Sequence, residues 1–179
     1  MIGFLVALYA LAAAPEVSVP YQWQEDVIQA PTGDAGVAFV RNYVRVTPYI
    51  AVGGRLSDDG VDRAKDVGFN MIIDLRQPDE QGVAEEEARA AELGVAYRRL
   101  SMPREAAEVE AFMPDLIAAL ENADNYPILL HCASGNRAGG AWALYRGMKG
   151  VPAVIAIEEG RAAGMRSREA VVREVLASQ

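Results

Sequence analysis

Residues 128–140 read ILLHCASGNRAGG, and the fold turns on how this stretch is read. With Tyr126 and Pro127 ahead of it, the first part is a continuous apolar run ending at Cys132. Such a run suits a strand buried on both faces of a sheet. Four small or polar residues follow (Ala133, Ser134, Gly135 and Asn136), then Arg137, and a helix is expected from about Ala138 through WALYRGM. In an open α/β sheet, ligands bind outside the carboxyl ends of the strands, where each turns into a helix. Cys132 stands at such an end.

Outward from this unit the pattern alternates. YIAVGG (49–54), NMIIDLR (70–76) and VAYRRLSM (95–102) read as further strands. Between them, a helix capped by Ser57 and stopped by Gly68, and a second over VAEEEARAAEL (83–93) stopped by Gly94, are expected. A helix over 106–123 carries Val109, Phe112, Leu116 and Leu120 at helical spacing, with a kink or restart at Pro114. Two more helices are expected over Pro152–Ala163 and Ser167–Leu176. Strand–helix alternation predicts an α/β fold, with a mainly parallel central sheet flanked by helices.

Composition narrows the chemistry. The 179 residues suit one domain with a sizeable core, and 51% hydrophobic residues with a mean hydropathy of +0.05 indicate a globular chain. A net charge of −8 argues against nucleic acid, whose phosphates need a basic face, although one local pocket can still bind an anion. A single cysteine and a single histidine exclude an intramolecular disulfide and the usual zinc clusters, so no metal or other cofactor is expected. Residues 1–14, MIGFLVALYALAAA, are uncharged and span roughly 21 Å as a helix, short of the ~30 Å hydrocarbon core. Their Ala-x-Ala endings read as a cleavable signal peptide, which predicts export, to the periplasm in a bacterium, and no membrane span in the mature chain. Residues 15–43, rich in Pro and Gly, read as an irregular lead-in.

The loop carries the chemistry. Its small residues let successive backbone N–H groups of Ala133, Ser134, Gly135, Asn136 and Ala138 turn inward as an anion nest, and the helix N-terminus adds its dipole. Arg137 offers paired donors to an oxyanion. The same surroundings favour a thiolate at Cys132. His131, adjacent on the strand, points to the opposite face and is read as a support that hydrogen-bonds backbone and holds the loop.

HCASGNR resembles the signature loop of the cysteine-dependent protein tyrosine phosphatase superfamily. More narrowly, VTPYIAVGGRLSDDGVDRAKDVGF, NMIIDLRQPDE, VAYRRLSMP and LLHCASGNRAGGAWALYR resemble, in order, the bacterial beta-lactamase hydrolase-like, phosphatase-like domain family. The resemblance implies a phosphatase-like α/β sandwich over 44–179, with Cys132 as nucleophile, Arg137 as oxyanion clamp and a phosphorylated substrate.

Some features depart from the superfamily. Tyrosine phosphatases place five residues between Cys and Arg, whereas this chain has four, a spacing shared with rhodanese-type sulfurtransferases acting on a sulfur-donor substrate through a persulfide. Ala138 stands where phosphatases commonly carry Ser or Thr. No Asp follows the strand over 95–102; Glu105 is the candidate acid, with Asp79 and Glu80 as rivals. A non-catalytic anion-binding module is the third reading.

Overall fold

The computed structural model describes residues 29–32 and 37–179. The expected signal peptide over 1–14 lies outside them, as does most of the lead-in. Five strands, β1 (Val44–Thr47), β2 (Ile50–Gly53), β3 (Met71–Asp74), β4 (Ala96–Arg99) and β5 (Ile128–His131), form one sheet. Six helices surround it: α1 (Gly60–Asp66), α2 (Val83–Leu93), α3 (Ala106–Glu121), α4 (Asn136–Met148), α5 (Ala153–Ala162) and α6 (Glu169–Ala177). The strand order is β1-β2-β5-β3-β4, parallel except for the antiparallel β1–β2 pair.

The apolar run that opened the sequence is the middle strand, and every residue of β5 is buried. Side chains alternate between two cores. Ile128, Leu130 and Cys132 join Ile50, Val52 and Ile73 against α3–α6. Leu129 joins Ala51 and Ile72 against α1 and α2. Burial of each large aliphatic side chain here contributes about 1.5–3 kcal/mol. Ala30, Val37, Phe39 and Val40 of the lead-in pack into the second core, so its end belongs to the folded unit. In register, Gly53 and Asp74 both pair with His131. The carboxyl ends of β2, β5 and β3 therefore lie side by side, and the segments after them meet.

The elements depart from expectation at four places. Strand β1 was not expected; an edge strand with half-buried residues needs no continuous apolar run. Helix α1 begins at Gly60 rather than being capped by Ser57, whose hydroxyl instead donates to Asp59 Oδ1 at 2.6 Å. Helix α3 runs unbroken from Ala106 to Glu121 through Pro114. Pro114 and Glu110 are both exposed, so water can take the carbonyl that the proline leaves without a donor. Helix α4 begins at Asn136, two residues earlier than expected, which places Arg137 in its first turn.

Candidate active site

Cys132 follows β5 on the α3–α6 side and is 1% exposed. Its Sγ accepts a hydrogen bond from the Gly135 amide at 3.2 Å, so the loop folds back over the sulfur. Gly135 has φ +91°, which a residue with Cβ rarely adopts, and this turn delivers the chain into α4. The strand β2 side fixes the loop from below. The Cys132 amide donates to Gly53 O at 3.2 Å, and the Arg55 amide donates to Ala133 O at 3.1 Å. Asn42 Nδ2 donates to Ser134 O at 3.0 Å. The Asn136 side chain is occupied elsewhere: its Nδ2 donates to Ser167 Oγ at 2.8 Å, while its Oδ1 accepts from the Arg166 and Arg168 amides at 2.7 and 3.2 Å. That leaves its backbone N–H, which reaches Ser134 Oγ at 3.5 Å, on the loop side. Ala138 is fully buried in the α3–α6 core.

Arg137 is held by the segment after β3. Its Nη1 donates to Leu75 O at 3.3 Å and to Glu80 Oε1, and its Nη2 donates to Glu80 Oε2 at 2.7 Å. Glu80 thus takes the end of the guanidinium. Of five N–H donors, Nε and one on Nη2 bond neither Glu80 nor Leu75; they form the side edge, of the kind that suits a planar or tetrahedral oxyanion, and Arg137 also hydrogen-bonds the Cys132 side chain. The pairing keeps Glu80 below its ordinary carboxylate range, with the Arg137 hydrogen bond as the main cause. An ionised carboxylate in a salt bridge is a poor proton donor. Glu80 is therefore a clamp for Arg137.

The cleft beside the loop has a volume of about 380 Å³ and is lined by Ser134, Asn136, Arg137, Asp79, Arg104 and Arg168, among others. Asp79 is exposed at this cleft. Glu105 is exposed at the N-cap of α3 and does not line the cleft.

Below the loop on the α2 side lies a buried charged cluster that sequence reading missed. Arg76 is fully buried; its Nε donates to Asp74 Oδ1 at 3.0 Å and its Nη2 to Asp74 Oδ2 at 2.9 Å. Arg76 Nη2 also lies 2.6 Å from Glu86 Oε2, and Tyr97 donates its hydroxyl to Asp74 Oδ2 at 2.7 Å. Arg76 Nη1 donates to Gln81 O at 3.1 Å, which ties down the loop that presents Asp79 and Glu80. His131 Nε2 is 3.5 Å from Glu86 Oε2 and 3.8 Å from Asp74 Oδ1, and neither ring nitrogen makes a hydrogen bond of good geometry. Backbone hydrogen bonding at Gly54 and Cys132 also acts on His131, raising its pKa against the effect of burial. Ligand atoms of Asp74, Glu86 and His131 lie within 4.8 Å of one another, a spacing that suits a metal. The Arg76 guanidinium already bonds both carboxylates, so a cation would have to displace it, and the donor set is better read as an ion-pair network.

Comparison with known proteins adds to this geometry. Residues 42–148 match the family described as beta-lactamase hydrolase-like protein, phosphatase-like domain. The chain belongs to this family. The match runs from just before β1 to the last residue of α4, and so contains Cys132, Arg137, Glu80 and the buried cluster. No curated protein matches the chain in sequence. Among solved structures, TpbA of P. aeruginosa superposes with a TM-score of 0.61 at 19% identity, covering 87% of this chain and 93% of TpbA. A structure of TpbA in complex with pTyr gives 0.60 at 19%, covering 86% and 91%. The catalytic core of the PP-IP phosphatase SIW14 from S. cerevisiae gives 0.60 at 17%, covering 75% and 85%. At these identities the likeness establishes the fold: the beta-lactamase hydrolase-like phosphatase domain shares the α/β architecture of these phosphatases. No helix among the described residues is long and apolar enough to cross a membrane.

Proposed function

We propose that this domain hydrolyses a phosphate monoester through a phosphocysteine. The observation that carries the reading is the pairing of Cys132 Sγ with the Gly135 amide beside an Arg137 whose side edge is fixed by Glu80. The thiolate of Cys132 attacks phosphorus; the S–P bond forms as the ester P–O bond breaks, and its electron pair leaves on the alcohol oxygen. Loop amides and the Nε–Nη2 edge of Arg137 stabilise the equatorial oxygens in transit. Asp79, which lines the cleft, protonates the leaving oxygen in preference to Glu105, which does not. Water then attacks phosphorus, gives its proton to Asp79, and the S–P electron pair returns to sulfur. TpbA crystallises with pTyr and SIW14 is a PP-IP phosphatase, and both support phosphate as the group transferred.

The four residues between Cys132 and Arg137 favour a second reading, sulfur transfer through a Cys132 persulfide. The test assays the protein on an aryl phosphate and on thiosulfate with cyanide, beside Cys132→Ser and Arg137→Ala. Phosphate release that is lost in Cys132→Ser and falls at least 100-fold in Arg137→Ala is the expected result. Thiosulfate turnover alone, with a persulfide mass on Cys132, would sink the phosphatase reading. Turnover of neither, with sulfate still bound, would make the domain an anion-binding module.

A further inference from the structure

The phosphatase reading uses one of the three arginines in the cleft. Arg104, Arg137 and Arg168 all line it, against two carboxylates, Asp79 and Glu80. In a chain of net charge −8, this excess of cations is a local feature. Glu80 is taken by Arg137. Among the described residues neither Arg104 nor Arg168 forms a salt bridge, and the one hydrogen bond of the Arg168 guanidinium goes from Nη1 to the Arg104 carbonyl at 3.2 Å. Arginines on the nearby surface behave differently: Arg161 and Arg173 both reach Glu169, at 2.6 and 2.8 Å.

Two features hold Arg168 in this unpaired position. Asn136 Oδ1 accepts its amide at 3.2 Å, and its Cβ lies against Gly140, where an added methyl carbon would approach to 3.2 Å. The loop that binds the reacting phosphoryl group thereby also sets the height of Arg168. Burial lowers the Arg168 pKa, and the charges of Arg137 and Arg104 lower it further, against the opposite pull of Cys132 and Glu105; the guanidinium stays charged, and three such charges crowd the cleft. An anion bound to Arg137 alone leaves the other two guanidiniums uncompensated.

We propose that Arg104 and Arg168 form a subsite for a second anionic group, a phosphate or carboxylate, on a small phosphate ester whose reacting phosphoryl group sits at Arg137. A cleft of about 380 Å³ lies at the lower end of small-molecule site volumes and suits a compact bis-anionic ester. Both cationic residues come from the starts of helices that lie outside the Cys–Arg loop, Arg104 before α3 and Arg168 before α6. They can therefore set substrate choice without altering the nucleophile.

The proposal rests on the phosphatase reading for which group reacts, and the test separates the two. Equilibrium affinities of Cys132→Ser for phenyl phosphate and for a hexose bisphosphate are measured at fixed ionic strength, then repeated with Arg104→Gln and Arg168→Gln added singly and together. Because Cys132→Ser does not turn over, the binding result is independent of whether the wild-type protein is a phosphatase, which aryl phosphate turnover decides separately. The bisphosphate is expected to bind at least 10-fold more tightly, with the preference falling to within about twofold in the double variant. Arg104 is exposed, so Arg104→Gln alone keeps the fold and is expected to lose part of the preference even where Arg168→Gln perturbs packing at Gly140. Equal affinities for the two ligands, or a preference untouched by both substitutions, overturn the subsite. So does a preference confined to phosphotyrosyl peptides with acidic flanks and absent for the hexose bisphosphate.

Discussion

Glu80 occupies one edge of the Arg137 guanidinium and so decides which donors remain for substrate. Replacement by Gln keeps one hydrogen bond but removes the charge, and frees Arg137 to rotate about its own side chain. Glu80→Gln is expected to lower kcat/KM for an aryl phosphate about 10-fold, ~1.4 kcal/mol of transition-state stabilisation, while leaving the melting temperature nearly unchanged because the pair is partly exposed. An unchanged kcat/KM would show that Arg137 is positioned without Glu80. The sequence made Cys132 and Arg137 legible because the local strand–loop–helix pattern carries them. It left Asp79 and Glu80 indistinguishable, as neighbours in RQPDE. What separates them is Arg76, which turns inward to Asp74 and Glu86 and bonds Gln81 O, so that Glu80 faces Arg137 and Asp79 faces the cleft. A buried arginine two residues from its partner gives no periodic signal.

Among the elements, the contact between α4 and α5 places the site most directly, since α4 begins in the loop and α5 leads to the 166–168 segment that Asn136 binds. The two helices approach through Gly139 and Gly160. A Cβ on Gly139 would lie 2.5 Å from the Met165 amide nitrogen and 2.7 Å from Gly160 O, both backbone atoms that cannot step aside. On Gly140 it would meet the Arg168 and Val172 side chains, at 3.2 and 3.5 Å. Gly139→Ala is therefore expected to cost about 3 kcal/mol, read as a fall of roughly 6–12 °C in Tm, and Gly140→Ala less than half of that. Equal effects from the two would mean that the helices can separate at no cost. The helix over 83–93 and the buried β5 were legible, because each depends on residues close in sequence. Strand β1 and the start of α1 were not. β1 exists by pairing with β2, and Ser57 is drawn to Asp59 once the chain has turned toward Phe39, whose carbonyl accepts the Ser57 amide at 2.8 Å.

At the scale of the whole molecule, the cluster of Asp74, Arg76, Glu86, Tyr97 and His131 holds two groups whose titrations pull stability in opposite directions with pH. Burial pushes Glu86 up from 4.5 to about 7 against the pull of Arg76. Burial also pushes His131 down from 6.5 to about 4 against the pull of Asp74. Between about pH 4.5 and 6.5 the unfolded chain carries one proton on this pair, on the histidine. The folded chain also carries one, on the glutamic acid. Folding moves the proton and does not take one up, so the pair leaves stability nearly flat across the window. Removing either partner exposes the slope of the other. In Glu86→Gln only His131 titrates; its folded pKa is depressed, the unfolded state binds more protons, and stability falls as pH drops from 6.5 toward 4. In His131→Asn only Glu86 titrates; its folded pKa is raised, the folded state keeps a proton the unfolded state has lost, and stability falls as pH climbs from 4.5 toward 7. Each shift is worth on the order of 3 kcal/mol at its limit. Urea midpoints measured from pH 4 to 7 are expected to tilt in opposite directions for the two variants around a flatter wild-type line, and parallel profiles would show that the two groups do not exchange a proton on folding.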